Sequence, residues 1–426
     1  MNINILDLGA KGDSINNDTS IIQKAIDTCS EAGGGKVIIP KDKTFIIGGI
    51  FLKSNVELHL EENSLLMGNG CEEEYILRPG SFERIKNETP ISGLIFSKDC
   101  TNIKITGSGK IDGNYKEFIP EGQDEEEHLA FFKYPRPMTV YFENCKNVVL
   151  TNITITNAPF WTVHLVGCVD TNITAIKIYN ELRMPNTDGI DIDRCKNTII
   201  KDCTIITGDD AICPKCTEET AVYGDCENIL VENCFLTSTS SAIKFGSSSF
   251  GDFRNCIFNN IEIKESNRGL AFQLRDTHGA ENIIFKNIKV ETKRFSEGWW
   301  GSAEPIYVTC CTREEGMVIN KIKNVVFENI SCQCENGIFI YSDIPEAIDG
   351  ITLKNIDLNF RRVTDYEISQ YDLRPWKGEP IFFHETAPVV AINANNITLE
   401  NIKVSDKENI LLEKDYIFKN CKNVIK

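Results

Sequence analysis

Short segments in which β-branched and apolar residues alternate with polar ones recur along the chain, each entered through an asparagine. They begin at Asn102 (NIKI), Asn147 (NVVL), Asn152 (NITI), Asn172 (NITA), Asn197 (NTII), Asn228 (NILV), Asn260 (NIEI), Asn282 (NIIF), Asn324 (NVVF), Asn355 (NIDL), Asn396 (NITL) and Asn401 (NIKV). Alternation with period two marks a strand with one buried face, and asparagine is a turn former. Renewal of this unit every roughly 20 to 30 residues predicts a solenoid of stacked β-coils, because helical repeats of that period need long amphipathic runs. The one clear helical pattern lies near the start. Asp18-Thr19-Ser20 precede Ile21, Ile22, Ala25 and Ile26 at helical spacing, and Gly33-Gly34-Gly35 supply the stop. A helix at that place is expected to close the open end of the solenoid, whose first coil otherwise presents unpaired edge groups.

The expected fold class is therefore all-β, a β-solenoid with an N-terminal capping helix. Repeat proteins grow by adding coils, so 426 residues fit one domain spanning 1–426, with no Gly/Ser- or Pro-rich linker in the rhythm. Charges, prolines or aromatics break the rhythm near 70–95, 113–137, 293–316 and 361–390, which read as long loop insertions. A stack of this length buries a continuous core, so a monomer suffices for folding, and the oligomeric state is left open. The formal charge of −17 argues against nucleic acid or an anionic membrane surface as partner. No apolar run reaches membrane-span length, and residues 1–10 have neither the basic start nor the apolar stretch of a secretion signal. Many of the 17 cysteines sit beside a repeat asparagine, as in Cys100-Thr101-Asn102, Cys145-Lys146-Asn147, Cys195-Lys196-Asn197, Cys226-Glu227-Asn228 and Cys421-Lys422-Asn423. Periodic placement predicts stacked small buried thiols, no structural disulfides and a reducing, cytoplasmic location.

Cys213-Pro214-Lys215-Cys216 has CxxC spacing, and Cys310, Cys311, Cys332 and Cys334 are formal partners for a zinc ion. No second CxxC matches it, and Cys213 continues the apolar face of Ala211-Ile212, so neither a metal nor a cofactor is called for. The carboxylates carry more. Asn186-Thr187-Asp188-Gly189 is followed about one repeat later by Gly208-Asp209-Asp210. Equivalent positions of successive coils lie about 4.8 Å apart, so these acids are expected to be near neighbours. Acids so close do not all ionise independently: one holds a proton while another stays charged, as glycosidic bond cleavage requires. The alternative is that both clusters simply make turns.

Taken with Asp7-Leu8-Gly9-Ala10-Lys11-Gly12-Asp13, Asn17-Asp18-Thr19, Ile105-Thr106-Gly107-Ser108-Gly109, Ile111-Asp112-Gly113 and Asn157-Ala158-Pro159-Phe160-Trp161-Thr162-Val163-His164, the stretches NTDGIDID (186–193) and TGDDAI (207–212) resemble glycoside hydrolase family 28, the polygalacturonase-like enzymes. The resemblance covers most of the chain. It implies a right-handed parallel β-helix and cleavage with inversion. Carried over to this sequence, it makes Asp209 the general acid, with Asp188 and Asp210 activating the attacking water; that division matches the need for acid and base on opposite faces of the sugar. Asn186 belongs to the same motif. Asp191 is a further substrate-binding candidate and Asp193 a second, with the polar face of the strand as the plain alternative for both.

Two departures bear on the substrate. Where the family has Gly-His-Gly, this chain reads Ser238 to Gly246 (STSSAIKFG), with Ser240 or Ser241 at the His position. Where polygalacturonases carry Arg-Ile-Lys, it has Ala271-Phe272-Gln273, within the run Arg268 to Arg275. In the family, that Arg and Lys grip a uronate carboxylate, which needs a cation. Lys244, Arg268, Gln273 and Arg275 are accordingly read as substrate-binding candidates, with surface charges or a partnership of Arg275 with Asp276 as the alternative. Trp299 and Trp300 in one insertion, and Tyr371, Trp376 and His384 in another, are candidate sugar-stacking walls or else the glue of their loops. The resulting expectation is an inverting glycosidase that trims short pectin-type oligosaccharides from an end, with a sugar specificity outside the family's usual one. A lyase on the same scaffold and a non-catalytic carbohydrate-binding solenoid remain the alternatives.

Overall fold

In the computed structural model, which describes residues 1–78, 91–132, 136–406 and 412–426, asparagines hold the turns of the repeat in left-handed backbone. Asn102, Asn147 and Asn197 have φ of 55°, 55° and 56°, and Asn228, Asn282 and Asn324 have 60°, 59° and 53°. Asparagine visits this region more readily than other residues bearing a Cβ, because its short amide bonds locally. The amides then bond one another from coil to coil. Asn102 Nδ2 donates to Asn55 Oδ1 at 2.8 Å and Asn147 Nδ2 to Asn102 Oδ1 at 2.9 Å; further along, Asn282 donates to Asn255 at 3.2 Å and Asn401 to Asn355 at 2.8 Å. Asn172 departs from the expectation. In its coil Asp170 takes the left-handed turn, at φ 58°, and accepts from Asn197 Nδ2 at 2.9 Å, while Asn172 lies inside the strand Val169–Thr174.

Contacts divide the chain into two compact units, Met1–Gly208 and Asp209–Lys426. Both are built as right-handed parallel β-helix, with strands stacked in register. In the first unit, register aligns Val37, Leu58, Ile105, Leu150, Ile173 and Ile200 into one buried column. In the second, the equivalent kind of column is Phe258, Phe285, Phe327, Leu353 and Leu399, with successive phenylalanine rings stacked at 4.8 and 5.0 Å. An undecorated coil advances 27 residues from one ladder asparagine to the next. Four coils take longer: 47 residues from Asn55 to Asn102, 45 to Asn147, 42 from Asn282 to Asn324 and 46 from Asn355 to Asn401. The extra residues fall on the four stretches read as insertions, of which 79–90 and 133–135 lie outside the described residues.

The helix Thr19–Glu31 buries Ile22, Ala25, Ile26 and Cys29. Gln23 docks it: the side-chain oxygen accepts from Phe51 N at 2.7 Å and the amide donates to Phe51 O at 3.1 Å, satisfying strand-edge groups. Asp18 stands at the N-cap without a side-chain capping bond. Its carboxylate instead accepts from Lys11 N at 2.7 Å and Gly12 N at 2.9 Å, tying down the preceding loop. Among the described residues no helix is long and apolar enough to cross a membrane.

The candidate residues lie on or beside the strands Val163–Val166 and Ile190–Asp193 in the first unit, and Ile212–Lys215, Ser241–Ser247 and Arg268–Leu274 in the second, with nearly every strand residue buried. Alternating patterning predicts one wet face for such strands. In Arg268–Leu274 the loop bearing Asp372 and Arg374 covers it, so Arg268 and Gln273 bond to the backbone of that loop.

Candidate active site

In the first unit, the turn Asn186–Gly189 leads directly into the strand Ile190–Asp193 and is held from three sides. Arg136, 2% exposed, donates through Nη1 to Pro159 O at 2.8 Å and Pro185 O at 2.9 Å, and through Nη2 to Asn186 Oδ1 at 2.9 Å. Asn180 Nδ2 donates to Thr162 Oγ1 at 2.7 Å and to Thr187 O at 3.3 Å. The backbone oxygen of Asp188 accepts from Thr162 N at 2.8 Å. Asp188 is therefore fixed in position and buried, at 2% exposure. Gly208 is packed so closely that a Cβ on it would lie 2.6 Å from Met184 O, 2.7 Å from Glu181 O and 2.8 Å from Thr187 Oγ1. Its amide donates to Thr187 Oγ1 at 3.2 Å, and Thr207 Oγ1 donates to Thr187 O, so the chain approaching the Asp209-Asp210 pair is locked to the Asp188 turn by residues of the same unit.

In the second unit, Asp209 and Asp210 are adjacent in sequence but not in environment. Asp209 is partly exposed, its Oδ1 accepts from Asp210 N at 2.9 Å, and its backbone oxygen accepts from Ser238 Oγ at 2.6 Å. Asp210 is fully buried. Its Oδ1 accepts from Ser240 Oγ and Ser241 N, each at 3.2 Å, and its Oδ2 pairs with the Lys244 ammonium. Burial by itself drives the Asp210 carboxyl up; the charges of Lys244 and Lys215, with hydrogen bonds from Lys244 and Ser240, outweigh it and hold the group below its ordinary value. Burial likewise opposes the Lys244 ammonium, and Asp210 more than compensates, so that this pKa is raised. Ser240 and Ser241, the two candidates for the position of the family's histidine, thus both bond to a candidate catalytic carboxylate.

The other sequence candidates are placed as follows. Asp191 is fully buried on the strand Ile190–Asp193, level with His164 of the preceding coil, and His164 Nε2 lies 3.5 Å from Asp193 Oδ2. Arg268, 1% exposed, donates to Glu304 Oε2 at 3.2 Å, Gln273 Oε1 at 3.3 Å and Asp372 O at 2.7 Å, and its guanidinium lies 3.8 Å from the Tyr307 ring centre. Gln273 donates to Arg374 O. Arg275 is fully buried, donating to Leu274 O, Thr309 Oγ1 and Leu373 O at 2.9, 3.0 and 3.0 Å. The alternative of Lys244 and Arg275 as surface charges is overturned, because both are buried, and Asp276 pairs with Arg313 at 3.2 Å. Tyr371 is stacked between Phe339 and His384 at 3.7 and 3.9 Å, and Trp376 Nε1 donates to Asp343 Oδ2 at 3.0 Å, so these aromatics fasten their loop. Trp299 is partly buried against Phe295, whereas Trp300 is 38% exposed with the Arg374 guanidinium 5.8 Å from its ring centre. Arg136 and Asn180 were not legible as site residues. Arg136 sits in an insertion between two prolines, where no periodicity points anywhere, and Asn180 merely follows the strand Lys177–Tyr179.

The model of the glycosyl hydrolases family 28 matches residues 29–371. A probable polygalacturonase of Vitis vinifera is 30% identical over 223 residues, covering 50% of this chain and 43% of that protein. An endo-polygalacturonase of Pectobacterium parmentieri is 28% identical over 206 residues, 46% of this chain and 51% of that one. The chain thus spans about half the length of the curated relatives it matches. Among solved structures, the exopolygalacturonase of Thermotoga maritima superposes with a TM-score of 0.75 at 24% identity, covering 95% of this chain and 92% of that one, a likeness of fold. With the family model matching well over half of its length, the chain belongs to the glycosyl hydrolases of family 28, a family of glycosidases.

Proposed function

We propose that this protein is an inverting glycoside hydrolase that cleaves O-glycosidic bonds of pectin-type oligosaccharides from a chain end, with a sugar specificity that differs from plain polygalacturonate. The observation that carries the reading is the contrast between Asp210, buried and held ionised by Lys244, and its neighbour Asp209, partly exposed. One acid suited to remain charged beside one able to reach a substrate is the division of labour glycosidic cleavage needs. Asp209 gives its proton to the leaving oxygen as the C1–O bond breaks. Asp210 takes the proton of the water that bonds to C1 from the opposite face, a role that the family resemblance also gives to Asp188.

The altered specificity is supported by where the cations point. Lys244, Arg268 and Arg275 all bond to protein acceptors, which leaves the usual grip on a uronate without its cations. Trp300, beside the Arg374 guanidinium that Asp372 holds, offers an aromatic face at an exposed edge, suited to a sugar ring. Asn186 contributes through the turn that carries Asp188. The absence of disulfides among the 17 cysteines suits a reducing compartment.

The test is a panel of oligogalacturonides, rhamnogalacturonan fragments and neutral plant oligosaccharides, incubated with wild type and Asp209→Asn. Release of single terminal sugars from one class, lost in the variant, is expected. Mixed internal fragments would remove the chain-end claim, an unsaturated product would replace hydrolysis by elimination, and sugar binding without turnover in either protein would point to a binding module.

A further inference from the structure

The site just described contains a group that the acid/base assignment does not use. Lys244 stands on the strand Ser241–Ser247, level with Ala271 of the next coil, and is 7% exposed. A buried ion pair loses the hydration of both charges, so it is poor evidence of a stabilising device. What the pair does achieve is definite. Asp210 Oδ1 receives Ser240 Oγ and Ser241 N, and Oδ2 faces the ammonium, so its neighbours at both oxygens are donors. A proton on Oδ2 would face the ammonium, which cannot accept it, and a proton on Oδ1 would displace the Ser241 N bond or require the Ser240 hydroxyl to reverse. Within the second unit, the titratable groups that act on the pair are Lys215 and Cys213 on the strand Ile212–Lys215 and Asp209 beside it. Lys215 adds to Lys244 in favouring the Asp210 carboxylate, and Asp209 favours the Lys244 ammonium, whereas burial opposes both charges.

We infer that Lys244, assisted by Ser240, is a positioning residue that keeps the Asp210 carboxylate ionised and aimed as the base, which leaves the transferable proton on Asp209. The inference rests on the hydrolase reading for its catalytic meaning. It is confined to this chain's own substitutions, since lysine and serine take over a neighbourhood where the family has histidine.

The experiment has two readouts so that the two claims can fail separately. Aspartate is labelled with 13C at the carboxyl, the Asp210 resonance is assigned by its loss in Asp210→Asn, and it is followed against pH in wild type, Lys244→Met, Lys244→Arg and Ser240→Ala. In wild type, Asp210 titrates below the ordinary carboxylate range. In Lys244→Met its midpoint rises by about one pH unit or more, because burial is no longer opposed by the charge nearest to it. Lys244→Arg keeps the midpoint low, and Ser240→Ala gives a smaller upward shift. An Asp210 midpoint that Lys244→Met leaves in place overturns the inference whatever the activity.

The second readout is the pH profile of kcat/KM on the substrate the panel identifies. A base must be ionised, so activity is lost as pH falls through its pKa. The acidic limb is therefore expected to move to higher pH by the same amount in Lys244→Met. If the resonance shifts and the limb does not, Asp210 is not the base and the positioning role is lost, while hydrolysis itself still stands. Lys244→Met leaves a buried lone carboxylate, so Lys244→Met/Asp210→Asn, which removes both charges, serves as the folding control. Should the single variant fail to fold, the Ser240→Ala shift decides: no upward movement overturns the inference.

Discussion

Asp209 and Asp210 share a peptide bond and differ in everything that sets a carboxyl's behaviour: exposure, hydrogen-bond donors and nearby charge. The account predicts that Asp209→Asn and Asp210→Asn each lower kcat/KM by about 10²- to 10⁴-fold, the usual contribution of a positioned acid or base. Steady-state kinetics with a folded-state check would show it, and a loss below tenfold would remove that residue from the mechanism. Gly208 is the steric counterpart. Gly208→Ala puts a Cβ against the carbonyl oxygens of Met184 and Glu181, which cannot retreat as a side chain can. The expected cost is about 1–3 kcal/mol, read as a lowered Tm, together with lost activity as the residues before Asp209 are displaced. A variant as stable and active as wild type would mean that this close packing does not matter.

The coil is the element on which the fold depends, and it was written in the sequence twice, as asparagine at the turn and as alternation in the strand. Asn282→Ala puts an ordinary residue into left-handed backbone and cuts the amide ladder; a cost of about 1–2 kcal/mol is expected, and Asn282→Gly should recover most of it. Phe285→Ala removes a ring stacked between Phe258 and Phe327 and should cost about 3–5 kcal/mol. Denaturant unfolding measures both, and equal costs at the two positions would contradict the ladder-and-column account. Alternation failed where it mattered for function. It predicts a wet face for Ser241–Ser247 and Arg268–Leu274, but loops such as the one bearing Asp372 and Leu373 cover that face and turn Arg268 and Arg275 into buried cross-links. A local pattern carries no record of distant loops, so the roles of Lys244, Arg268 and Arg275 were not legible from it. The acids were legible because NTD and GDD are short contiguous motifs. Arg136 and Asn180, which hold the Asp188 turn, act through distant backbone and left no such trace.

For the molecule as a whole, the repeat placement of cysteine has a chemical consequence. All 17 are free thiols, and only Cys71 and Cys421 are not buried. Burial pushes the Cys256 thiol up to about 12, and Cys168 is raised for the same reason, so their thiolates are scarce as well as shielded. Alkylation of the native protein followed by mass spectrometry should label Cys71 and Cys421 first, with the others reacting on unfolding; rapid labelling of the core cysteines would contradict the packing described. Membership of family 28 and the β-helix both follow from patterns distributed along the chain, while the sugar depends on side chains whose partners only the fold reveals. The central claim is inversion by an aspartate pair, and the most direct measurement is 1H NMR of the first product formed from a substrate of defined anomeric configuration. The account predicts that the released sugar appears initially with the opposite anomeric configuration and then mutarotates, with product formation slowed by about 10²- to 10⁴-fold in Asp209→Asn. Initial release with the original configuration would contradict it.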